Sequence, residues 1–204
     1  MKFCLNTSTI KPQPLLKKIE LAGQAGYDGI ELWLNDIYDH IGRGGEVNDV
    51  EKALADHGLI VPSVIAIRQW GDQDGWEYEL VKDEARRRFA LGARLGAPFI
   101  VATPPIELTR QDHLPERYRD LLQIGREEGI RPTFEYISFF KSVNNLADAW
   151  RIVRETDDED ATLILDAFHT WNSTSDLELL HAIPAEKISH YHIDDAHPNK
   201  APTT

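Results

Sequence analysis

The chain has 204 residues, 42% hydrophobic and 27% charged, which predicts one globular domain with a full core. Its 34 acidic and 22 basic residues give a net charge of -12, which argues against a surface for nucleic acid phosphates or anionic membranes. The single cysteine, Cys4, excludes an internal disulfide bond and favours a reducing, cytoplasmic compartment. We expect neither a signal peptide nor a membrane span, because no apolar stretch approaches the roughly 20 residues that a span needs.

Short apolar runs alternate along the chain with segments of helical spacing. The apolar runs predict strands at residues 3–7, 29–33, 60–67, 99–102, 131–135, 162–166 and 188–193. The periodic segments predict helices at residues 12–25, 47–57, 77–95, 116–128, 143–155 and, as a short one, 177–182. Glycines after the first four helices suit the positions where those helices end.

Strand followed by helix, repeated along the chain, predicts right-handed crossovers and a parallel sheet. The alternatives are an open doubly wound sheet and a closed eight-stranded barrel. A doubly wound nucleotide-binding sheet usually has a glycine-rich loop after its first strand, and residues 8–12 contain no glycine. The fold class expected is therefore α/β, a (β/α)8 TIM barrel.

The length of the chain accounts for about seven β/α units of such a barrel. A unit averages roughly 31 residues, so eight units would need about 250. The sequence predicts a single barrel domain over residues 1–204 that lacks the last strand and helix. An open barrel exposes two sheet edges. We therefore expect either a truncated form of a longer protein or completion by another chain, which makes a homo-oligomer one option.

Three predicted strands end in residues that bind metals. Glu135 ends strand five, Asp166 strand six and His192 strand seven. Because neighbouring strands lie about 4.8 Å apart, the three side chains can converge on one ion. Two carboxylates and an imidazole suit Mn²⁺, Co²⁺, Mg²⁺ or Zn²⁺. The structural alternatives are a salt bridge for the acids and a core position for His192.

Further polar residues surround this set. His169, three residues beyond Asp166, is predicted above the strand as a substrate-binding residue or a further ligand. His190 points to the same side of the strand as His192 but one layer deeper, which favours a supporting or core role. Asp194 and Asp195 follow His192, and either can orient it, bind a substrate hydroxyl or belong to a solvated loop.

Three segments resemble one known group of proteins. They are Leu-Asp-Ala-Phe-His-Thr-Trp-Asn-Ser at 165–173, His-Tyr-His-Ile-Asp-Asp-Ala at 190–196 and Gly-Tyr-Asp-Gly-Ile-Glu-Leu-Trp at 26–33. They resemble the xylose isomerase-like barrel superfamily, which includes sugar phosphate isomerases and epimerases, inosose and 3-dehydroshikimate dehydratases, and endonuclease IV. The resemblance implies that Glu135, Asp166 and His192 are three of four metal ligands and that His169 contacts substrate. The fourth ligand of that group, a glutamate on strand eight, has no match here.

The resemblance implies an isomerase or epimerase that acts on a sugar, sugar phosphate or polyol. The ion would act as a Lewis acid on the developing enediolate, and Glu135 would be both ligand and acid–base catalyst. His169 would polarise or position a substrate oxygen.

Four other side chains have the chemistry to line a substrate pocket. Trp33, Trp70 and Trp171 are candidates for an apolar wall, although each also suits a core position. Arg68 is a candidate for a phosphate or carboxylate, with a surface salt bridge as the alternative.

Three other functions remain open from the sequence. A lyase on the same scaffold is one, because the strand-six and strand-seven segments also resemble 3-dehydroshikimate dehydratase. Endonuclease IV-like DNA repair is disfavoured by the negative charge and by the lack of histidines on strands three and four. A non-catalytic remnant or binding protein is the third.

Overall fold

Seven parallel strands, each hydrogen-bonded to the next along the chain, form one sheet in a computed structural model that describes residues 1–107, 110–173 and 177–195. The strands are β1 Cys4–Asn6, β2 Gly29–Trp33, β3 Ser63–Ile67, β4 Phe99–Ala102, β5 Arg131–Phe134, β6 Leu163–Asp166 and β7 Ile188–His192. A sequential order of parallel strands is that of a barrel rather than of a doubly wound sheet, whose order reverses at a switch point. The predicted fold class is confirmed.

Helices alternate with the strands. They are α1 Leu15–Gln24, α2 Leu34–Gly42, α3 Val47–Asp56, α4 Gly75–Arg94, α5 Leu114–Glu128, α6 Leu146–Glu155 and α7 Ala167–Trp171. Gly129 follows α5 with φ 78°, a left-handed conformation that glycine adopts without steric cost and that ends the helix. No helix in the described ranges is both long and apolar enough to cross a membrane.

The sheet curls strongly. In a flat sheet, the five strand spacings between β2 and β7 would put these strands roughly 24 Å apart. The Nε2 atom of His192 on β7 nevertheless lies 3.1 Å from the carboxylate of Glu31 on β2. The concave face of the sheet is therefore an enclosed interior, whose two flanking strands are β1 and β7.

Alternation along the strands divides the apolar residues into two groups. The larger core lies between the sheet and the helices and includes Ile30, Leu32 and Phe134. A small cluster on the concave side contains Ile65, Ala66, Val101 and Ile164, with Trp33 packed against it. Because successive side chains point to opposite faces, Glu31 and Trp33 share the concave face while their neighbours pack under the helices.

Three elements differ from the prediction. Helix α2 was not predicted, because it begins directly after β2 without a loop and buries only Leu34 and Ile37. The short segment Leu177–Ala182 is a 3-10 helix rather than an α-helix. The residues after Asp166, predicted as a loop, form helix α7. Residues 196–204 lie outside the described part of the chain.

Candidate metal centre

Four ionisable side chains meet at the concave face of the sheet. The Nδ1 atom of His192 lies 3.2 Å from Oε1 of Glu135 and 3.6 Å from Oδ2 of Asp166. On the other side of the ring, Nε2 lies 3.1 Å from the Glu31 carboxylate. The structure thus brings together the three predicted ligands and adds a third carboxylate to them.

The strand register explains this convergence. Asp166 and His192 are paired positions at the ends of β6 and β7. Glu135 follows β5 directly, and its backbone N–H donates to the Ala102 carbonyl of β4 at 3.2 Å, which continues the ladder by one residue. Because parallel strands present their carboxyl ends at one rim, these side chains come from different strands to the same place.

The cluster has an excess of negative charge. Glu31, Glu135 and Asp166 are 4%, 6% and 4% exposed, and no lysine or arginine in the described ranges forms an ion pair with any of them. The charged form of one imidazole would leave an excess of two negative charges. Buried carboxylates are costly unless they are paired with cations. The arrangement therefore favours a bound cation.

The protonation states reflect the same imbalance. Burial lowers the pKa of His192, but the charge of Glu31 and hydrogen bonds with Asp166, Glu135 and Glu31 outweigh it and raise the pKa overall. Burial raises the pKa of Glu31, but the charge of His192 and hydrogen bonds with His190 and His192 lower it overall. In the metal-free protein, an imidazolium therefore occupies the position of a counter-ion among three carboxylates.

The donor set fits a divalent metal. One donor atom each from Glu135, Asp166 and His192 lie within 4.8 Å of one another, as do donor atoms of Glu31, His190 and His192. Carboxylate oxygens and an imidazole nitrogen are ligands of Mn²⁺, Co²⁺, Mg²⁺ and Zn²⁺. The first set lies at the open rim of the interior, and the second lies one layer deeper.

Glu31 is the site residue that the sequence prediction missed. The predicted metal ligands were all at the ends of strands five to eight. Glu31 was part of a segment that resembles the family, but no role in the site was predicted for it. The signal was nevertheless present, because a glutamate between Ile30 and Leu32 in a buried strand is rarely placed without a partner.

His169 lies in helix α7 and is buried. The backbone N–H of Ser138 donates to its Nδ1 atom at 3.4 Å, and the Ser138 hydroxyl lies 3.1 Å from the same atom. A ring nitrogen that accepts an N–H hydrogen bond carries no proton, so the neutral ring has its proton on Nε2. His169 is therefore arranged to donate a hydrogen bond through Nε2.

A cavity of about 500 Å³ lies at the ends of β2, β3 and β4, and its lining includes none of the four cluster residues. Its walls include Trp33, Arg68, Gln69 and Thr103. The guanidinium of Arg68 lies 5.6 Å from the Trp33 ring centre, and no carboxylate in the described ranges pairs with it. The predicted surface salt bridge of Arg68 is therefore absent from the described part of the chain.

The remaining predicted pocket residues are placed differently. Trp70 is fully buried in the main core, where its Nε1 donates to the Thr103 carbonyl at 2.7 Å, so of its two candidate roles it has the core position. Trp171 is 65% exposed at the end of α7. Asp195 is exposed and makes no hydrogen bond with the cluster within the described residues.

The curated proteins to which this chain is similar include named enzymes. The chain is 29% identical over 188 residues to a 3-dehydroshikimate dehydratase of Pseudomonas aeruginosa. This match covers 89% of this chain and 29% of that protein. It is 25% identical over 205 residues to an inosose isomerase of Bacillus velezensis, and this match covers 96% of this chain and 72% of that protein. The chain thus spans less than a third of the first relative's length.

A solved structure described as IolI protein with a binding zinc atom superimposes with a TM-score of 0.89 at 23% identity, covering 98% of this chain and 75% of that one. At this identity the likeness shows the fold. The sequence profile of one family matches residues 19–203, nearly the whole chain. The chain belongs to the xylose isomerase-like TIM barrel family.

Proposed function

We propose that this protein is a divalent-metal-dependent isomerase or epimerase that transfers a proton next to the carbonyl of a sugar, sugar phosphate or polyol-derived ketone. The observation that carries the proposal is the cluster of Glu31, Glu135 and Asp166 around His192. Three buried carboxylates at the rim of the barrel carry more negative charge than one imidazolium neutralises. Together with the imidazole, they form a donor set that suits a divalent cation. The inosose isomerases among the relatives support the reaction class.

Glu135, Asp166 and the Nδ1 atom of His192 would hold the metal. A bound divalent ion supplies Lewis-acid stabilisation of the negative charge that develops on a carbonyl oxygen during proton removal. A neutral His192 is required for this role, so metal binding would expel the proton that the carboxylates otherwise retain on the ring.

Glu135 is the candidate proton acceptor. Its Oε1 atom faces His192, whereas no described residue donates a hydrogen bond to Oε2. A carboxylate with one free oxygen at the rim can take a proton from the carbon beside the substrate carbonyl and return it to a neighbouring carbon. His169, with its proton on Nε2, would donate a hydrogen bond to a substrate oxygen.

The cavity at the ends of β2, β3 and β4 is the candidate substrate site, because the carboxyl ends of parallel strands share one rim with the cluster. Trp33 offers an apolar ring face at its edge, and Arg68 offers a cation for a phosphate or carboxylate. Trp171 and Asp195, both exposed near the same rim, are candidates for contacts with substrate hydroxyl groups.

A dehydratase is the second candidate, and Arg68 is the observation that favours it. A 3-dehydroshikimate carries a carboxylate, whereas an inosose is uncharged, and the cavity contains a guanidinium that no described carboxylate pairs with. The similarity to 3-dehydroshikimate dehydratases points the same way. In this reaction Glu135 would remove the proton beside the carbonyl and pass it to the departing hydroxyl group, which leaves as water, while His169 donates a hydrogen bond through Nε2.

The test uses the purified chain with Zn²⁺, Mn²⁺, Co²⁺ or Mg²⁺ and two substrates, an inosose and 3-dehydroshikimate. In deuterated water, NMR should show metal-dependent deuterium incorporation next to the carbonyl, which is common to both reactions. A new ultraviolet absorbance from a conjugated product identifies dehydration, and its absence together with a rearranged ketone identifies isomerisation. If no divalent ion binds at micromolar concentration, the metal-dependent reaction is excluded for this chain.

A further inference from the structure

We infer that Glu31 is a positioning residue that holds His192 with Nε2–H directed into the barrel and Nδ1 directed at Glu135 and Asp166. The inference rests on the proposed function only in its consequence for metal affinity. It assigns a task to a fully buried carboxylate that the proposed reaction does not otherwise use.

Glu31 is held from both sides by uncharged donors. The Asn6 side-chain N–H of β1 donates to Oε2 at 2.5 Å, and the Ser63 hydroxyl of β3 donates to Oε1. A carboxylate fixed by donors from the two adjacent strands has little freedom to rotate. It therefore presents a fixed acceptor to whatever faces it across the interior.

His192 faces this acceptor. Its Nε2 atom lies 3.1 Å from the Glu31 carboxylate, and an ionised carboxylate can only accept, so Nε2 carries a proton. A metal held by Glu135 and Asp166 would take the place of the Nδ1 proton of the imidazolium, because Nδ1 lies 3.2 Å from Glu135 and 3.6 Å from Asp166, and Nε2 would keep its proton. A carboxylate behind a ligating histidine fixes the tautomer and raises the basicity of the ligand.

A hydrogen-bonded chain anchors Glu31 from the opposite side of the barrel. The Thr133 hydroxyl of β5 lies 2.7 Å from that of Ser189, and Ser189 lies 3.1 Å from Nδ1 of His190. The Nε2 atom of His190 lies 3.3 Å from the Ser63 hydroxyl. The Ser189 hydroxyl also donates to the Leu163 carbonyl at 3.3 Å, and the chain of polar side chains connects β5 and β7 with Ser63 and Glu31.

The contacts around Glu31 also distinguish a positioning role for this residue from a ligand role in a second metal site. Donor atoms of Glu31, His190 and His192 are close enough to hold an ion. An ion there would need the lone pair of His192 Nε2, and a neutral ring that offers Nδ1 to the first set has no lone pair on Nε2. Glu31 is therefore arranged as a hydrogen-bond acceptor for Asn6, Ser63 and His192 rather than as a metal ligand.

The test compares Glu31→Gln with the wild-type chain by two measurements. Zn²⁺ affinity is measured by chelator competition, and the variant should bind 10- to 100-fold more weakly, the range typical of lost carboxylate partners of ligating histidines. Histidine ring ¹H–¹⁵N NMR should show a slowly exchanging Nε2 proton of His192 in the metal-free and the zinc-loaded wild type. This proton signal should disappear from both forms of the variant.

Two further variants serve as controls. Glu186→Gln makes the same substitution at an exposed position before β7 and outside the cluster, and it should change Zn²⁺ affinity by less than about threefold. Ser63→Ala leaves Glu31 in place but frees one of its oxygens. It should weaken Zn²⁺ binding less than Glu31→Gln does, and it keeps the test decisive if the glutamine variant does not fold.

The outcomes separate the two proposals. If the wild type binds no metal but the Nε2 proton depends on Glu31, the proposed function fails and the positioning role stands. If Zn²⁺ binds equally well to Glu31→Gln, or if Nε2 is the atom that binds zinc, the positioning role is wrong and the proposed function stands. A wild type that binds two zinc ions, one of which Glu31→Gln loses, makes Glu31 a ligand and also overturns the inference.

Discussion

Asp166 accepts a hydrogen bond from the backbone N–H of His169 through Oδ1 at 2.7 Å, while its Oδ2 lies 3.6 Å from Nδ1 of His192. One carboxylate therefore begins helix α7 and also belongs to the candidate metal centre. Because the hydrogen bond fixes the first turn of α7, it also sets where His169 stands relative to the ligands. The predicted metal ligand Asp166 and the predicted substrate-binding residue His169 are therefore joined by a hydrogen bond within one helical turn.

Replacement of Asp166 should separate these two tasks. Both Asp166→Asn and Asp166→Ala remove the anionic donor and should weaken Zn²⁺ binding strongly. Asparagine caps a helix about as well as aspartate, so the alanine variant should be less stable than the asparagine variant by about 1 kcal/mol. Urea unfolding of the metal-free variants measures this difference. Equal stabilities would show that the Asp166–His169 hydrogen bond does not stabilise α7.

His192 should make the stability of the metal-free protein decrease at alkaline pH. Its pKa is raised in the folded state, whereas an unfolded histidine titrates near pH 6.5. Its stabilising contribution is therefore complete below about pH 6.5 and is lost by about 1.4 kcal/mol per pH unit above it. Between pH 7 and 9, unfolding free energy should fall more steeply for the wild type than for His192→Gln.

The exposed His181 provides the control for that experiment. His181→Gln should follow the wild-type pH dependence, because His181 is exposed and forms no ion pair with another described residue. The acids behave in the opposite sense. The pKa values of Glu31 and Asp166 are lowered, so their contribution is present above about pH 4 and is lost at lower pH. Parallel profiles for wild type and His192→Gln would contradict the assignment of an imidazolium to the cluster.

His169 should affect turnover rather than metal binding. His169→Gln removes the Nε2 donor and should lower kcat about 100- to 10,000-fold on whichever substrate is turned over. Zn²⁺ affinity should stay within about threefold of the wild type. Ser138→Ala, which loses the hydroxyl that contacts Nδ1, should lower kcat by only about tenfold. A large loss of zinc affinity in His169→Gln would instead make His169 a ligand.

Trp70 should matter for stability alone. Trp70→Phe keeps an aromatic ring against Tyr118 and Phe134 but leaves the buried Thr103 carbonyl without its indole donor. We expect a loss of about 1–3 kcal/mol in the free energy of unfolding, measured in urea. Trp76→Phe, at a 68% exposed position, should change it by less than about 0.5 kcal/mol. A loss of activity in Trp70→Phe without a loss of stability would contradict its core placement.

Most of the fold was predictable because it depends on local patterns. The apolar runs and the alternating helical segments gave all seven strands to within about three residues at either end. Helix α2 was missed because it follows β2 without a break, so the change from period two to period 3.6 has no turn residues to mark it. Helices α3 and α4 end close to Gly58 and Gly96, as predicted, because both glycines adopt a positive φ.

The sequence by itself determined which residue types stand at the strand ends, and with them Glu135, Asp166 and His192. Strand ends are local features, and a parallel order places them at one rim. Only the tertiary structure decided that Glu31 faces His192, because that contact depends on how strongly the sheet curls over 161 residues of chain. It also decided the proton position on His169, since the Ser138 N–H that sets it comes from a different strand–helix connection.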